Sequence, residues 1–160
     1  MSDIVISPVI RADLDLLHNA MQELSAALGD RHVADIAALE AGGFGPEPAF
    51  RAQLARRSGV VVGALVYSPL FSTTRGGAGL YVSDLWVAQS ARGCGLGRRL
   101  LARALSDAEA RGGACFVKLS VYDDNPLAQR FYHQIGFDAQ PLEFNMILQG
   151  AALNALKGTP

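Results

Sequence analysis

Apolar and polar residues alternate from Ile4 to Val9, and the run breaks at Pro8, which predicts a short edge strand. Beyond Arg11-Ala12-Asp13 the period lengthens. Leu14, Leu17, Met21, Leu24 and Leu28 recur every three or four residues, the apolar face of a helix that Asp13 opens and Gly29 closes. A second helix is expected over about residues 32–41, with Val33, Ile36 and Ala37 inward. Gly42, Gly43, Gly45, Pro46 and Pro48 then make a loop, and a short helix is expected over about residues 49–56. Two β-rich runs come next, VVVGALVY from Val60 to Tyr67 and LYVSDLWV from Leu80 to Val87. The Phe71–Gly79 segment between them has turn chemistry, so the two runs are expected to be antiparallel neighbours.

Leu96, Leu100, Leu101, Ala104, Leu105 and Ala108 mark an amphipathic helix that ends at Gly112-Gly113. Ala114 to Val121 reads as a strand. Asp124-Asn125-Pro126 starts another helix, with Leu127, Phe131 and Ile135 on one face and Gly136 at its end. Glu143 to Leu148 reads as the last strand, and the tail from Gly150 has no assigned role. This order predicts an α/β (α+β) fold, a mixed, mostly antiparallel central sheet with helices on both faces. At 160 residues, without repeats or linkers, the chain is expected to form a single domain over residues 1–160.

Composition narrows the function. Half of the residues are hydrophobic and the net charge is −1, which gives no support to a nucleic-acid partner. Of the arginine clusters, Arg51, Arg56 and Arg57 read as a solvated helix end, while Arg92, Arg98 and Arg99 fall in or beside a glycine-rich segment. Cys94 and Cys115 lie far apart, and His18, His32 and His133 lack ligand spacing, so neither a disulfide framework nor a metal site is expected. Cys115 reads as a small buried hydrophobe. The early residues are acidic without a long apolar run, and no segment approaches the roughly 20 apolar residues of a membrane span. A cytoplasmic protein with no membrane partner is expected.

The most informative segment is Arg92-Gly93-Cys94-Gly95-Leu96-Gly97-Arg98, placed between a strand and a helix. A helix start offers N–H groups without intrahelical partners and the positive end of the macrodipole. Glycines there permit positive φ and close approach of an anion. A diphosphate can lie on such a turn, with Arg92, Arg98 or Arg99 adding charge. The segment is not a Walker A loop, which needs Gly-Lys-Ser/Thr, nor a Rossmann fingerprint, which needs glycine where Arg98 stands.

This segment resembles the acetyl-CoA pyrophosphate loop of the GNAT N-acetyltransferase superfamily, whose pattern is Gln/Arg-x-x-Gly-x-Gly/Ala. A second stretch, containing Asn125, Ala128, Phe131-Tyr132 and Gly136-Phe137, is similar to that superfamily's Asn…Ala…Phe-Tyr…Gly-Phe motif. The wording Tyr81-Val-Ser-Asp-Leu-Trp-Val87 looks most like the polyamine and thialysine branch. The resemblance implies that Leu85, Trp86 and Val87 edge a groove for acetyl-CoA, where a bulge lets the strand pair with the pantetheine arm. It implies that Arg92, Gly93, Cys94, Gly95, Leu96, Gly97 and Arg98 hold the diphosphate, mainly through backbone N–H groups. Asn125, a cap before Pro126, would also contact the pantetheine, and Ala128 and Tyr132 would join it. The Tyr132 hydroxyl would protonate the departing thiolate, while Phe131, about 100° away around the helix, enters the core.

An attacking alkylamine must lose a proton, so a base or water chain is needed. Asp84 ranks first as base and substrate contact, then Asp123, and Glu23 on the first helix would complete an acidic pocket. No covalent nucleophile with an adjacent base stands out, so direct transfer in a ternary complex to a small-molecule amine, polyamine-like or amino-acid-like, is expected. The competing readings are a non-catalytic acetyl-CoA sensor or assembly module and a protein N-terminal or lysine acetyltransferase. The edge of the last strand and the apolar tail (Ala151, Ala152, Leu153, Leu156) are candidates for a homodimer contact.

Overall fold

A computed structural model describes residues 3–159, and the chain divides into two compact units, Met1–Ser120 and Val121–Pro160. The first carries β1 (Ile4–Pro8), α1 (Leu14–Leu28), α2 (Ile36–Phe44), β2 (Arg51–Arg57), β3 (Val60–Ser72), β4 (Gly77–Val87), α3 (Leu96–Glu109) and β5 (Phe116–Leu119). The strands form one sheet in the order β1-β2-β3-β4-β5. Its first three pairings are antiparallel and β4–β5 is parallel, as a mixed sheet requires. Pro8 and Pro69 are both tolerated because a strand with a free side need not donate there. β1 lies at the sheet edge, and β3 pairs with β2 only as far as Tyr67.

The two faces are covered separately. Ala52, Leu54, Ala64 and Val66 point to one face, where they pack with Leu14, Leu17, Met21 and Leu39 of α1 and α2. The alternate residues point to the other, where Gly63 admits Leu96 and Leu100 of α3; a Cβ on Gly63 would sit 3.1 Å from Leu96 Cδ2. Helices therefore lie on both faces. Gly29 closes α1 at φ 75° in the left-handed conformation.

Several expectations are corrected. The segment RAQLARR is strand β2, not a helix, although every residue in it is a good helix former. Ser58 (φ 50°) and Gly59 (φ 82°) make a two-residue turn that folds β2 back onto β3, and ladders with β1 and β3 override local propensity. α2 begins later than expected, because the Asp35 side chain caps it by accepting from Ala38 N at 2.8 Å. Leu39 becomes its buried residue, while Val33, Ile36 and Ala37 are exposed. β3 is longer than its apolar run and β5 shorter. Cys115 is exposed rather than buried, since it precedes β5 at the sheet edge, where its N–H donates to Ala78 O at 2.9 Å.

The second unit carries α4 (Pro126–Gln134) and α5 (Gly150–Lys157). Leu127, expected on the inner face of α4, is 75% exposed, whereas Phe131, one turn on, and Ile135 at the C-cap are half-buried. Glu143–Leu148 is not a strand. A period-two pattern needs a neighbouring strand to complete a ladder, and this segment runs irregularly into α5, which occupies the tail.

Candidate active site

Strand β4, between β3 and the edge strand β5, loses its regularity at one place. Val66 of β3 faces Asp84 but the next residue, Tyr67, faces Val82, so Ser83 is the extra residue of a β-bulge. Its hydroxyl donates to Val66 O at 3.3 Å. On the other side of β4 the parallel pairing with β5 ends at Val82, opposite Leu119. From Ser83 to Val87 that side of β4 pairs with no strand among the described residues. Leu85, Trp86 and Val87 lie on this open edge and are half-buried. The Trp86 ring packs against the α1 face of the core, so it is a packing residue whose backbone lines the edge.

The open edge continues through Ala88 and a short 3-10 turn, Gln89–Ala91, into the glycine turn. Gly93 (φ 77°) and Gly95 (φ 74°) both take the left-handed conformation, and Gly95 caps α3. A Cβ built on either would meet no atom within 4 Å, so the turn is open as well as strained for other residues. The N–H groups of Gly93, Cys94 and Gly95 have no acceptor among the described residues. Leu96 is buried and anchors the helix start, so Gly97 and Arg98 sit on a fixed first turn. Arg92 folds back and donates from Nε to Val87 O at 3.1 Å. Arg98 is exposed with no ion-pair partner among the described residues. Arg99 is turned away, donating to Ile4 O at 2.7 Å. Cys94 Sγ donates to Ala91 O at 3.0 Å, so its thiol stabilises the turn.

In the second unit, Asn125 Oδ1 accepts from Ala128 N at 3.1 Å, with Pro126 at the first helical position. The cap uses the Asn125 carbonyl and the Ala128 N–H and leaves the Asn125 amide NH2 for another partner. Tyr132 is half-buried, its ring edge against Phe137 at 5.4 Å and tilted against Phe131 at 5.1 Å. Burial pushes its pKa up to about 12, so the phenol is neutral throughout the physiological range.

Of the predicted acids, Asp84 is half-buried beside the bulge, on the same face as Trp86, and has no ion-pair partner among the described residues. Glu23 is exposed on α1 and Asp123 is exposed before α4. No hydrogen bond or ion pair joins any two of these three among the described residues.

A polar cluster that the sequence does not announce lies at the far end of α3. Tyr67 Oη donates to Asp107 Oδ2 at 2.9 Å, and Arg111 donates to both Asp107 oxygens at 3.4 Å. Arg51 lies 4.0 Å away. Gln53, 1% exposed, donates to Tyr67 Oη at 3.4 Å. Burial alone would raise the Asp107 pKa, but the Tyr67 hydroxyl and the Arg111 and Arg51 charges outweigh it and lower it. Burial, then the Asp107 hydrogen bond and charge, push Tyr67 up to about 12. The arginines read as a solvated helix end are thus strand residues: Arg56 pairs with Asp13 at 2.7 Å, Arg57 donates to Ser90 O at 3.3 Å, and Arg51 reaches Asp107 only at 4.0 Å. No local signal could reveal this cluster, whose members come from separate elements.

Comparison with known proteins places these features in context. The model of the acetyltransferase (GNAT) family matches residues 16–137. The chain is 34% identical over 130 residues to an IAA acetyltransferase of Azospirillum brasilense, covering 77% of each protein. It is 40% identical over 68 residues to N-alpha-acetyltransferase 40 of Saccharomyces cerevisiae, covering 39% of this chain and 24% of that one, so it spans about a quarter of that relative. Among solved structures, an integron cassette protein from the mobile metagenome of V. cholerae superposes with TM-score 0.79 at 23% identity over 99% of both chains. An aminoglycoside N-acetyltransferase in complex with CoA gives TM-score 0.74 at 16% identity, over 94% of this chain and 97% of that one. At these identities the two structures establish a shared fold.

Proposed function

Because the chain belongs to the acetyltransferase (GNAT) family, we propose that it holds acetyl-CoA on the open edge of β4 and the glycine turn and acetylates a small primary amine. The amine is polyamine-like or amino-acid-like, and transfer is direct, within a ternary complex. The observation that carries this reading is the continuity of two features. Among the described residues, a strand edge that pairs with no strand leads, through the short turn Gln89–Ala91, into a turn whose Gly93, Cys94 and Gly95 N–H groups lack acceptors. One elongated ligand with a peptide-like arm and a diphosphate satisfies both.

Acetyl-CoA supplies an acyl group already activated as a thioester. The chain's residues supply the rest. The N–H groups from Gly93 to Arg98 and the positive end of α3 bind the diphosphate. Arg98 adds charge, and Arg92 keeps its terminal N–H groups while Nε is held on Val87. Leu85, Trp86 and Val87 offer backbone groups to the pantetheine, and the Asn125 amide and the Ala128 turn contribute further contacts. Asp84 takes a proton from the incoming ammonium, directly or through water, with Asp123 and Glu23 favouring a cationic acceptor. At pH 7 only about one alkylamine in a thousand is neutral, so this step is needed.

Tyr132 acts on the leaving group. Its pKa of about 12 lies above that of a thiol, about 8.5. Complete proton delivery is therefore uphill, and a strong hydrogen bond to the developing thiolate is its principal contribution.

The test is a calorimetric titration with acetyl-CoA, followed by an assay for free thiol across a panel holding a polyamine, an amino acid, an aminoglycoside and an N-terminal peptide. Binding with amine-dependent thiol release from the polyamine or the amino acid supports the proposal. Release from the peptide alone replaces it with protein acetylation. Binding without release from any amine replaces it with a sensor. No binding removes the assignment of the glycine turn.

A further inference from the structure

At the opposite end of α3 from the glycine turn lies a cavity of about 190 Å³. From Gly95 to Asp107 the helix axis covers about 18 Å, so this cavity is separate from the diphosphate turn. Its walls are of two kinds. Val9, Phe44 and Phe50 make an apolar side, and Arg51, Tyr67, Asp107 and Arg111 make a polar side. The apolar side is built closely, since a Cβ on Gly43 would come within 2.9 Å of Phe50 Cζ. Glycine at that position lets the Phe50 ring approach the end of α2 closely.

The polar side carries an excess of positive charge. Two guanidiniums face one carboxylate, and Asp107 is kept ionised by its hydrogen bonds. Nearby Arg11 is committed to Glu40, to Phe44 O and to the Phe44 ring face. The bonds to Asp107 use Arg111 Nε and one terminal nitrogen, while Arg51 approaches only to 4.0 Å. Each guanidinium has five N–H donors, so both retain several for a ligand. Planar forks of this kind match a carboxylate in geometry and charge.

We propose that this cavity is a second small-molecule site, for a monocarboxylate carrying a single aromatic ring. The ring lies between Val9, Phe44 and Phe50, and the carboxylate meets the free donors of Arg51 and Arg111. The size agrees: an apolar cavity of about 150 Å³ accommodates benzene, and the remaining volume suits a short carboxylate arm. The Tyr67 hydroxyl, already donating to Asp107, lines the floor without being needed as a ligand. The proposal is independent of the acetyl-transfer reading, because its residues lie outside the glycine turn and the β4 edge.

Phenylacetate is the probe, with phenylacetamide as its neutral isostere, titrated into the full chain and followed by amide chemical shifts. Saturable shifts at Phe44, Phe50 and Arg51 are expected with phenylacetate, and phenylacetamide should bind at least about tenfold more weakly. Arg111→Ala should weaken phenylacetate by a similar factor and leave acetyl-CoA affinity unchanged. Should that variant fail to fold, Arg51→Ala carries the same expectation, because its guanidinium makes only the long contact with Asp107. Absence of saturation, equal binding of the amide, or shifts confined to Gly93–Arg98 would each overturn the proposal.

Discussion

The Tyr67 hydroxyl donates to Asp107 Oδ2 at 2.9 Å, fastening β3 to the last turn of α3. The bond favours the ionised carboxylate and so couples stability to pH. In the unfolded chain Asp107 takes its proton near 3.8, and in the fold it does so at lower pH. The stabilisation is therefore complete above the unfolded value and is lost as pH falls through the folded one. Tyr67→Phe should destabilise by about 1–2 kcal/mol at pH 7 and by less at pH 3. Urea unfolding at the two pH values checks this, and an equal loss at both would contradict it.

Tyr132→Phe keeps the ring against Phe131 and Phe137 and removes only the hydroxyl. Turnover should fall by about 10- to 100-fold while acetyl-CoA affinity changes by less than about twofold. With a pKa of about 12, Tyr132 contributes no alkaline limb below about pH 10 in the wild-type rate profile. Steady-state kinetics beside calorimetry separates the two effects, and an equal loss in both would assign Tyr132 to binding alone.

Gly95 holds φ 74° with open space where a Cβ would stand. Gly95→Ala should cost about 1–2 kcal/mol of stability from backbone strain. Gly95→Glu should add charge repulsion against a diphosphate and weaken acetyl-CoA by at least about tenfold beyond the alanine variant. Undiminished affinity in Gly95→Glu would displace the diphosphate from the turn.

Leu54 is fully buried on β2, on the face covered by α1. Leu54→Ala should cost about 2–5 kcal/mol, through lost transfer energy and the cavity left behind. Chemical denaturation measures it directly. A cost below about 1 kcal/mol would mean that the core collapses around the gap.

Much of the fold was legible because its signals are local. The α1 stripe, Gly29, the β3–β4 apolar runs and the Asn125-Pro126 cap each state their conformation within a few residues, and each appears in the structure. The glycine turn was legible for the same reason, since positive φ at Gly93 and Gly95 is a property of those residues. Helix propensity misled at RAQLARR, where two flanking strands supplied hydrogen bonds that the segment's own preference could not match.

By itself, then, the sequence determined the α/β class, the strand–turn–helix that carries the glycines, and the residue types offered for chemistry. Tertiary structure decided which strand edge stays open, because β5 pairs with β4 only up to Val82 and the bulge at Ser83 redirects the strand from Asp84 onward. It also decided that Arg51, Tyr67, Asp107 and Arg111 share one cavity. Local sequence cannot specify such meetings. They arise when the burial of Leu54, Leu65 and Leu100 draws distant strands and helices together, and the polar groups carried along pair with whatever the packing has placed beside them.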